Sequence, residues 1–592
     1  YEETLRVNSL GLPTHTMFQG EAEPLRRIFQ DYRVNSVGDG EPDNVARANV
    51  GYQAGRITFF VPRRNNGPLV EVDGDFGLSV QYVGWGPTFE LQAFRRMNKA
   101  ESRSEFEAAL QLFDVGSQNF IYADVDGNIA YYSSGEMPIR ADLQDDMTAA
   151  GGRPPFLIRD GSGELNHEWL PVRNPRPQQV LDHEILPYEE MPQVVNPEVG
   201  YVANANNDPV GTSLDNNALN QLRPGGGLYY LNPGYAALRM GRIDRRLQSL
   251  VAEGDVTVDD MATLQANNQL LDAELLTPFI MQAFNNATAE GAWPGIAQFA
   301  ADPRVVEAAQ RLAGWDFSTP TGIAEGFDPG DNPANLAAPA QAEIDASVAA
   351  TLYSAWRGQI IANTIDATLD AVGLGDFKPG SRQALSALGH HLMTFDQNQG
   401  QGASGIPFFS VPGAEPPTPA DARDAVILAS LQQALDRLAS AEFAPAFNQS
   451  MNLADYRWGR LHRIVFDHPL DTDPFNIPNG GGFSDLSPEL PGIARSGGRG
   501  SVDAASHSAR ADGLNDFMFG AGPARRFVAV MQPGGPDGEE VLPGGRSGVF
   551  LSPAYSNQLP LWLTNQYHPL TLGEAAANNT AVNSFQLVPA SP

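Results

Sequence analysis

The chain has 592 residues, of which 42% are hydrophobic and 18% are charged, and these are the proportions of a globular protein with several cores. Its 70 acidic and 38 basic residues give a formal net charge of −32, so nucleic acids and anionic membranes are poor partners because their phosphates would repel it. The absence of cysteine excludes disulfides, thiolate catalysis and cysteine-bound zinc.

Residues 1–140 have a mostly β pattern. Asn66-Gly67 and Asp126-Gly127 each stand between two apolar runs, which predicts two hairpins, and residues 104–113 between them have helical spacing. The first residues match neither a signal peptide nor an initiator methionine, so we expect Tyr1 to follow either a cleavage or further upstream residues. No run of 18 apolar residues exists, and no transmembrane helix is expected.

Residues 141–200 are rich in proline, glycine and acidic residues, which predicts a long surface excursion. The stretch from Gly200 to Gly211 then predicts a short buried strand over 201–203, followed by a carboxamide cluster and a turn at Asp208-Pro209. The carboxamides are Asn204, Asn206 and Asn207.

Buried amides are costly unless their hydrogen bonds are used. An uncharged N–H donor at the end of a strand can hold an oxyanion that exists only during a reaction, as an oxyanion hole does. The alternative interpretation of this stretch is a polar turn capped by asparagine.

Residues 238–250 predict a basic helix that follows a glycine-rich loop. Its four arginines stand at positions 239, 242, 245 and 246, and three of them, at 239, 242 and 246, share one face. One interpretation is a solvated face that pairs with acidic groups. The other is that Arg239, nearest the loop, points at the same pocket as the carboxamide cluster.

Residues 255–445 predict mainly helices, with a capping box at Thr257 and an N-cap at Thr418-Pro419, and with loops over 316–338 and 396–418. Residues 456–592 return to strands and loops, including a strand at 526–531. This order predicts an α+β fold in three parts: a β-rich part over 1–250, a helical insert over 251–445 and a β and loop return over 446–592.

Most short catalytic motifs are absent. The glycine runs do not have the spacing of a phosphate-binding loop, and neither Gly-x-Ser-x-Gly nor His-Glu-x-x-His occurs. His390 and His391 are interpreted as structural or surface residues. His462 and His468 flank an apolar strand and either could act as a base, although neither comes with a nucleophile motif.

Several weak motifs occur together in one order over nearly the whole chain. They are Glu2-Glu3-Thr4, the hairpin from Gln118 to Arg140, Asn196-Pro197, Gly200 to Asn207, Arg239 to Leu247, Trp315-Asp316, Trp458-Gly459 with His462, and Gly544 to Gly548 with Tyr555 and Trp562. In this order they resemble the β-subunit of the penicillin acylase family of N-terminal-nucleophile hydrolases.

The resemblance implies an αββα sandwich with a large helical insert, and an enzyme that hydrolyses linear amide bonds. Substrates in such a family are acylated amines such as a β-lactam nucleus, an acyl-homoserine lactone or a lipopeptide. By motif, Asn206 maps to the oxyanion-hole asparagine and Arg239 to the arginine that orients the site. No cofactor is implied for catalysis; a structural calcium ion is implied, with Asp215 as the nearest match to one ligand.

The family nucleophile is an N-terminal residue, usually serine, exposed by self-cleavage, and its own α-amine is the base. Tyr1 cannot take that role, so we expect the nucleophile on an upstream β-subunit segment, with a separate α-subunit as a further partner. The resemblance also implies a periplasmic or secreted protein. The alternative is a catalytically inactive relative that binds or assembles with other molecules.

Overall fold

The computed structural model describes residues 1–30, 32–35, 40, 46–48, 57–144, 153–211, 219–229, 238–470 and 473–589. The chain forms two compact units, Tyr1–Ala237 and Leu238–Pro592. No helix among the described residues combines the length and the apolar character needed to cross a bilayer. The division into three parts predicted from the sequence stays a prediction.

The first unit is built on a seven-stranded antiparallel sheet in the order β3-β2-β1-β9-β8-β7-β4. Its strands, together with the separate β5–β6 pair, are β1 Glu2–Val7, β2 Pro13–Phe18, β3 Glu21–Pro24, β4 Arg26–Phe29, β5 Tyr32–Val34, β6 Ala46–Ala48, β7 Ile57–Val61, β8 Gly67–Asp73 and β9 Phe76–Ser79. Alternate apolar residues of these strands face a common core that includes Leu5, Phe59 and Val61.

The first predicted hairpin is confirmed. Strands β7 and β8 pair antiparallel through Phe60 with Pro68, and both Asn65 and Asn66 adopt left-handed backbone angles, with φ of 54° and 53°. Asparagine tolerates this conformation better than other residues with side chains, so the Asn-Asn-Gly sequence suits the turn.

A second, three-stranded sheet carries the other predicted hairpin, which is also confirmed. Its strands are β10 Gln118–Ala123, β11 Ile129–Ser134 and β12 Gln193–Val195, and two helices precede them, α1 Glu90–Met97 and α2 Arg103–Leu110. The predicted helix over 104–113 corresponds to α2. The last residue of α2, Leu110, packs with Ala130 and Tyr132 of β11 in one small core.

The stretch between β11 and β12 differs in part from the predicted surface excursion. Its described residues form no strand, as predicted, but Trp169, Leu181 and Ile185 are buried together. The segment between β11 and β12 therefore has a small apolar cluster of its own. Burying these large side chains is favourable because it removes apolar area from water.

The second unit is mainly helical up to residue 461. The helical part predicted over 255–445 is confirmed, but one more short helix, at Trp458–Leu461, lies in the region predicted to return to strands and loops. Its helices in this range are α3 Leu238–Glu253, α4 Val258–Gln265, α5 Leu271–Thr288, α6 Pro294–Ala300, α7 Pro303–Ala313, α8 Gln341–Ile361, α9 Ala367–Ala371, α10 Ser381–Met393, α11 Phe395–Asn398, α12 Pro419–Leu438, α13 Ala444–Phe447 and α14 Trp458–Leu461. Helices α5, α8 and α12 pack on one another and supply much of one large core.

Two helix starts predicted from the sequence are confirmed. The Thr257 side chain accepts a hydrogen bond from the Asp260 amide, and the Asp260 carboxylate accepts one from the Thr257 amide, so the capping box of α4 is complete. Thr418 caps α12 in the same way, accepting from the Asp421 amide at 3.1 Å, and Pro419 occupies the first helical position.

Residues after 461 alternate between short strands and loops. The elements are β13 Arg463–Ile464, β14 Ile493–Ala494, β15 Arg526–Gln532, β16 Gly535–Val541, α15 Leu559–Leu563, β17 His568–Leu570 and α16 Glu574–Thr580. The predicted strand at 526–531 corresponds to β15. In this part of the unit, Arg495 and Arg526 both donate to the buried Asp503, and both guanidinium groups lie over the ring of Trp562 at 4.6 Å.

Candidate functional site

The carboxamide cluster lies in the first unit, on a loop and not at the end of a strand. The prediction of a buried strand over 201–203 is wrong: these residues are half-buried and belong to no strand that the structure describes. Strand β12 ends at Val195, and Asn196, with φ of 47°, and Gly200, with φ of 79°, turn the chain before the apolar run begins. A strand needs a partner along its length, and two left-handed residues end the pairing with β11.

The loop begins at a fixed point on the second sheet. The Asn196 side chain accepts a hydrogen bond from the Ile129 amide and donates one to the Asn128 side chain, both at 2.9 Å. These bonds tie the start of the loop to the turn of the confirmed hairpin. The Asn196-Pro197 motif therefore anchors the chain that carries the carboxamide cluster.

The three amides of the cluster have different tasks. The Asn204 side-chain oxygen accepts from the Asn206 amide at 2.9 Å, and the Asn207 side-chain oxygen accepts from the Ala205 amide at 3.0 Å. Both side chains thus hold the backbone of the turn. Asn206 is the exposed member of the three, whereas Asn204 and Asn207 are half-buried.

Asn206 has a left-handed backbone with φ of 55°. Two positions later, the buried Asp208 accepts hydrogen bonds from the amides of Val210 and Gly211 at 3.0 and 2.6 Å and closes the turn. A residue with a side chain at positive φ is uncommon and persists where its surroundings hold it there, which occurs often at binding and catalytic sites. These bonds therefore fix the backbone of the turn on which Asn206 stands.

Arg239 lies in the second unit, as the second residue of α3, and the structure separates it from the other arginines of the predicted basic helix. Arg242 and Arg245 both pair with Glu274 of α5, and Arg246 lies 3.4 Å from Glu253. These three follow the interpretation of a face that pairs with acidic groups. Arg239 is half-buried, and burial together with the nearby charge of Arg382 lowers the pKa of its guanidinium.

Arg382 and Arg499 also lie in the second unit, where their charges and that of Arg239 affect one another. Neither residue was predicted from the sequence to belong to a site. Burial and the charges of Arg357, Arg382 and Arg239 lower the pKa of Arg499, which falls to about 10. The sequence offers one signal for Arg382: it stands at the start of α10, whose first turn has no acidic residue.

The two candidate base histidines differ in their surroundings. His462 is fully buried, with its ring nitrogens 2.6 and 3.3 Å from the carbonyl oxygens of Arg495 and Ala505, and burial lowers its pKa to about 4. It is a structural residue, neutral near pH 7. The nitrogen of His468 accepts from the Leu470 amide, and this bond closes a local turn.

His391 of α10 is a packing residue, in line with the sequence interpretation of the pair His390-His391. Its ring stacks on Phe408 with centroids 4.2 Å apart, and burial lowers its pKa to about 4. Asp215, the predicted calcium ligand, lies outside the described residues. Among the residues that are described, no group of three or more histidine or carboxylate side chains could hold a metal ion.

A cavity of about 1100 Å³ opens within the second unit and contains neither of the predicted site residues. Its wall carries five carboxylates, from Glu307, Asp316, Asp328, Glu343 and Asp345. Arg311 on the same wall lies within 4 Å of Glu307 and Asp345. Burial raises the pKa of Asp328 to about 6, and the neighbouring charges of Asp331 and Glu343 add to this effect.

Comparison with known proteins finds similarity to penicillin G acylases. Penicillin G acylase of Escherichia coli is 33% identical over 121 residues, a segment that covers 20% of this chain and 11% of that protein. A solved structure of a thermostable penicillin G acylase from Alcaligenes faecalis matches with a TM-score of 0.60 at 16% identity, covering 100% of this chain and 86% of that one.

The structural match confirms the predicted α+β fold. At 16% identity it bears on the fold and not on the activity. The family model described as penicillin amidase matches residues 1–579, which is almost the whole length. The chain therefore belongs to the penicillin amidase family.

Proposed function

We propose that this protein is part of an amide hydrolase that removes an acyl group from an amine, with Asn206 as an oxyanion-hole donor. The observation that carries the proposal is the division of tasks in the carboxamide cluster. Asn204 and Asn207 hold the turn, and Asn206 is exposed and has a left-handed backbone conformation. Membership of the penicillin amidase family supports acylase chemistry in general.

In the proposed reaction, the hydroxyl of an N-terminal residue on an upstream segment attacks the amide carbonyl of the substrate. Its proton passes to the α-amine of the same residue, which titrates near neutral pH, with an ordinary pKa of about 7.7–8.0. The carbonyl oxygen becomes an oxyanion and accepts a hydrogen bond from the side-chain amide of Asn206. The C–N bond then breaks, the proton goes to the leaving amine, and water later hydrolyses the acyl-enzyme ester.

We assign Arg239 a positioning role in this reaction. A half-buried guanidinium offers five N–H donors in a rigid plane and stays charged at neutral pH, so it can orient polar groups of a site without exchanging protons. The calcium ion implied by the resemblance stays a prediction, because Asp215 lies outside the described residues, and no step above uses the ion.

The test of Asn206 uses the complete protein, including its upstream segment, and a panel of N-acyl p-nitroanilides of different acyl length. Asn206→Gly removes the amide but suits the left-handed backbone, so the turn is kept. We expect kcat to fall about 10²- to 10³-fold with little change in KM, since the donor acts on the transition state. Asn206→Asp should lower kcat at least as much, because its charge repels the oxyanion.

Asn448 provides the matched control, because it is also an exposed asparagine with a left-handed backbone, at φ of 51°. Asn448→Gly should keep the turnover of the parent protein. If Asn206→Gly keeps more than about a tenth of the parent kcat, Asn206 is not an oxyanion-hole donor, because the loss of one such donor lowers kcat about 10²- to 10³-fold.

The role of Arg239 has its own readout in the same assay. Arg239→Lys keeps a positive charge but loses the planar fork of donors, so we expect kcat to fall while the pH at which activity is half-maximal stays near its parent value. Unchanged kcat together with an unchanged pH profile would instead mean that Arg239 acts only through its charge, which lysine keeps.

The proposed substrate is an acylated amine such as an acylated β-lactam nucleus, an acyl-homoserine lactone or a lipopeptide. We propose a periplasmic or secreted location and an α-subunit partner, in line with the family. The intact mass of the native protein, purified from fractionated cells, would reveal a partner chain and an upstream segment. If that segment carries no serine, threonine or cysteine at its processed end, the inactive relative is the correct interpretation.

A further inference from the structure

Four arginines gather in the second unit, and we call them the arginine cluster: Arg239, Arg357, Arg382 and Arg499. Arg357 and Arg499 both contact His507. One Arg357 nitrogen lies 3.3 Å from the His507 ring nitrogen, and Arg499 donates to the His507 carbonyl oxygen at 3.2 Å and to the Ser506 hydroxyl at 3.1 Å. Two guanidinium groups therefore meet at one residue.

The other two arginines stand at the beginnings of two helices, each next to a residue that contacts the segment carrying Arg499 and His507. The Ser381 hydroxyl, at the start of α10, accepts a hydrogen bond from the Ala509 amide at 2.6 Å, so Arg382 follows a residue fixed next to the His507 loop. A Cβ atom on Gly500 would lie 3.2 Å from the Leu238 side chain, so the Arg499 loop packs against the start of α3. Arg239 is the next residue of that helix.

Negative charge in the cluster is scarce. Arg357 pairs with Asp272 at 2.9 Å, and the same Asp272 oxygen accepts from the Tyr353 hydroxyl. In the part of the chain that the structure describes, neither Arg382 nor Arg499 has a carboxylate within 4 Å. Burial and Arg357 hold the pKa of His507 well below its usual value, so the ring is neutral.

The placement of two of these arginines also opposes the helix dipoles. The amino end of a helix carries partial positive charge from its unpaired N–H groups, and acidic residues are usually found there. Both α3 and α10 instead have an arginine as their second residue and no acidic residue in the first turn. The chain has 70 acidic and 38 basic residues, so its composition alone does not explain four arginines close together.

We propose that the arginine cluster binds an oxyanion, a phosphate or carboxylate group held by Arg382, Arg499 and the amino end of α10. A guanidinium presents two parallel N–H groups that match two oxygens of such an anion, which a halide cannot match. The amide groups at the start of a helix add further donors for the same charge. A bound oxyanion would offset both the mutual repulsion of the arginines and the adverse dipoles.

The first test measures phosphate binding by the complete protein, with thermal unfolding and calorimetric titration, against sodium chloride at matched ionic strength. Phosphate should raise the unfolding temperature more than chloride does. Arg382→Gln should weaken phosphate binding about tenfold or more, because it removes one charge-assisted contact. Without phosphate this variant should be at least as stable as the parent, since it removes a repelled charge from an exposed position.

Arg245→Gln is the matched control, because Arg245 is an exposed arginine of α3 that already pairs with Glu274. It should keep the phosphate response of the parent. The proposal is overturned if phosphate stabilises the parent no more than chloride does, or if Arg382→Gln keeps the full phosphate response. Neither readout needs enzymatic activity, so failure here is distinct from failure of the proposed function.

A second test separates the two sources of the oxyanion and rests on the proposed function. If a substrate carboxylate is the occupant, phosphate should compete with hydrolysis of an N-acyl amino acid and not of its methyl ester, and Arg382→Gln should raise KM only for the acid. If a free anion is the occupant, phosphate should act equally on both substrates.

Discussion

Asp328 stands on the wall of the 1100 Å³ cavity, where acidic neighbours surround it. Its carboxylate accepts hydrogen bonds from the Thr321 amide at 3.0 and 3.2 Å and from the Thr321 hydroxyl at 2.5 Å. These bonds favour the charged form, but burial outweighs them and raises the pKa of Asp328 to about 6. Repulsion from Asp331 and Glu343 acts in the same direction.

The raised pKa of Asp328 has a consequence for stability. An unfolded aspartate titrates at about 3.9, so between about pH 4 and about pH 6 the folded protein binds more protons than the unfolded chain. The contribution of Asp328 to the free energy of unfolding therefore decreases as the pH rises through this window. Urea denaturation from pH 4 to pH 7 should show this decrease in the parent protein and a smaller one in Asp328→Asn.

Asp316 supplies the comparison for this prediction. It lies on the same cavity wall but is exposed, so Asp316→Asn should leave the pH dependence of the urea midpoint as in the parent. Equal pH dependence in the parent and in Asp328→Asn would show that Asp328 titrates as it does in the unfolded chain.

The sequence indicates the kind of chemistry at the carboxamide cluster but not the task of each amide. A run of three asparagines in four positions identifies an oxyanion donor as one interpretation. Only the folded turn shows that the Asn204 and Asn207 side chains are used by backbone amides. The arginine cluster has even less local signal, because Arg239 and Arg499 are brought together by tertiary packing of segments far apart in the chain.

At the scale of elements, α12 depends on a local cap at its start. The Thr418 hydroxyl donates to the Asp421 carboxylate at 2.7 Å while accepting from the Asp421 amide, and the helix it begins is largely buried. Thr418→Ala removes both bonds and should lower the free energy of unfolding by about 1 kcal/mol. Chemical denaturation of the complete protein measures this change.

Thr418→Ser keeps a hydroxyl at the same position and is the matched variant for this measurement. It should stay within about 0.5 kcal/mol of the parent, because serine caps helices at least as well as threonine. Equal losses in Thr418→Ala and Thr418→Ser would assign the effect to packing of the threonine methyl group and not to the cap.

Elements with local signals were predictable, and one that depends on a partner was not. The hairpin turns at Asn66-Gly67 and Asp126-Gly127 and the caps at Thr257 and Thr418 are set by residues within a few positions of one another. The apolar run at 201–203 looks like a strand from its composition alone. It fails because Asn196 and Gly200 turn the chain away from β11, which periodicity cannot show.

At the scale of the whole molecule, the fold could be predicted from the joint order of motifs and not from composition. The matching solved structure shares 16% of its residues with this chain and yet covers all of it, so few positions carry the likeness. The net charge of −32 argues against nucleic acids and anionic membranes as partners, but it does not identify a substrate. The two compact units, with a boundary at Ala237 and Leu238, follow from packing that the sequence pattern does not display.

The contact of Trp562 with Arg495 and Arg526 gives the second unit an optical reporter. The indole is 1% exposed and two guanidinium groups lie over it, both held by Asp503. Loosening of the C-terminal strands would release these cations and admit water to the ring, which would move its fluorescence emission to longer wavelength. The difference spectrum between the parent and Trp562→Phe would therefore follow the opening of this region alone, separately from the other six tryptophans.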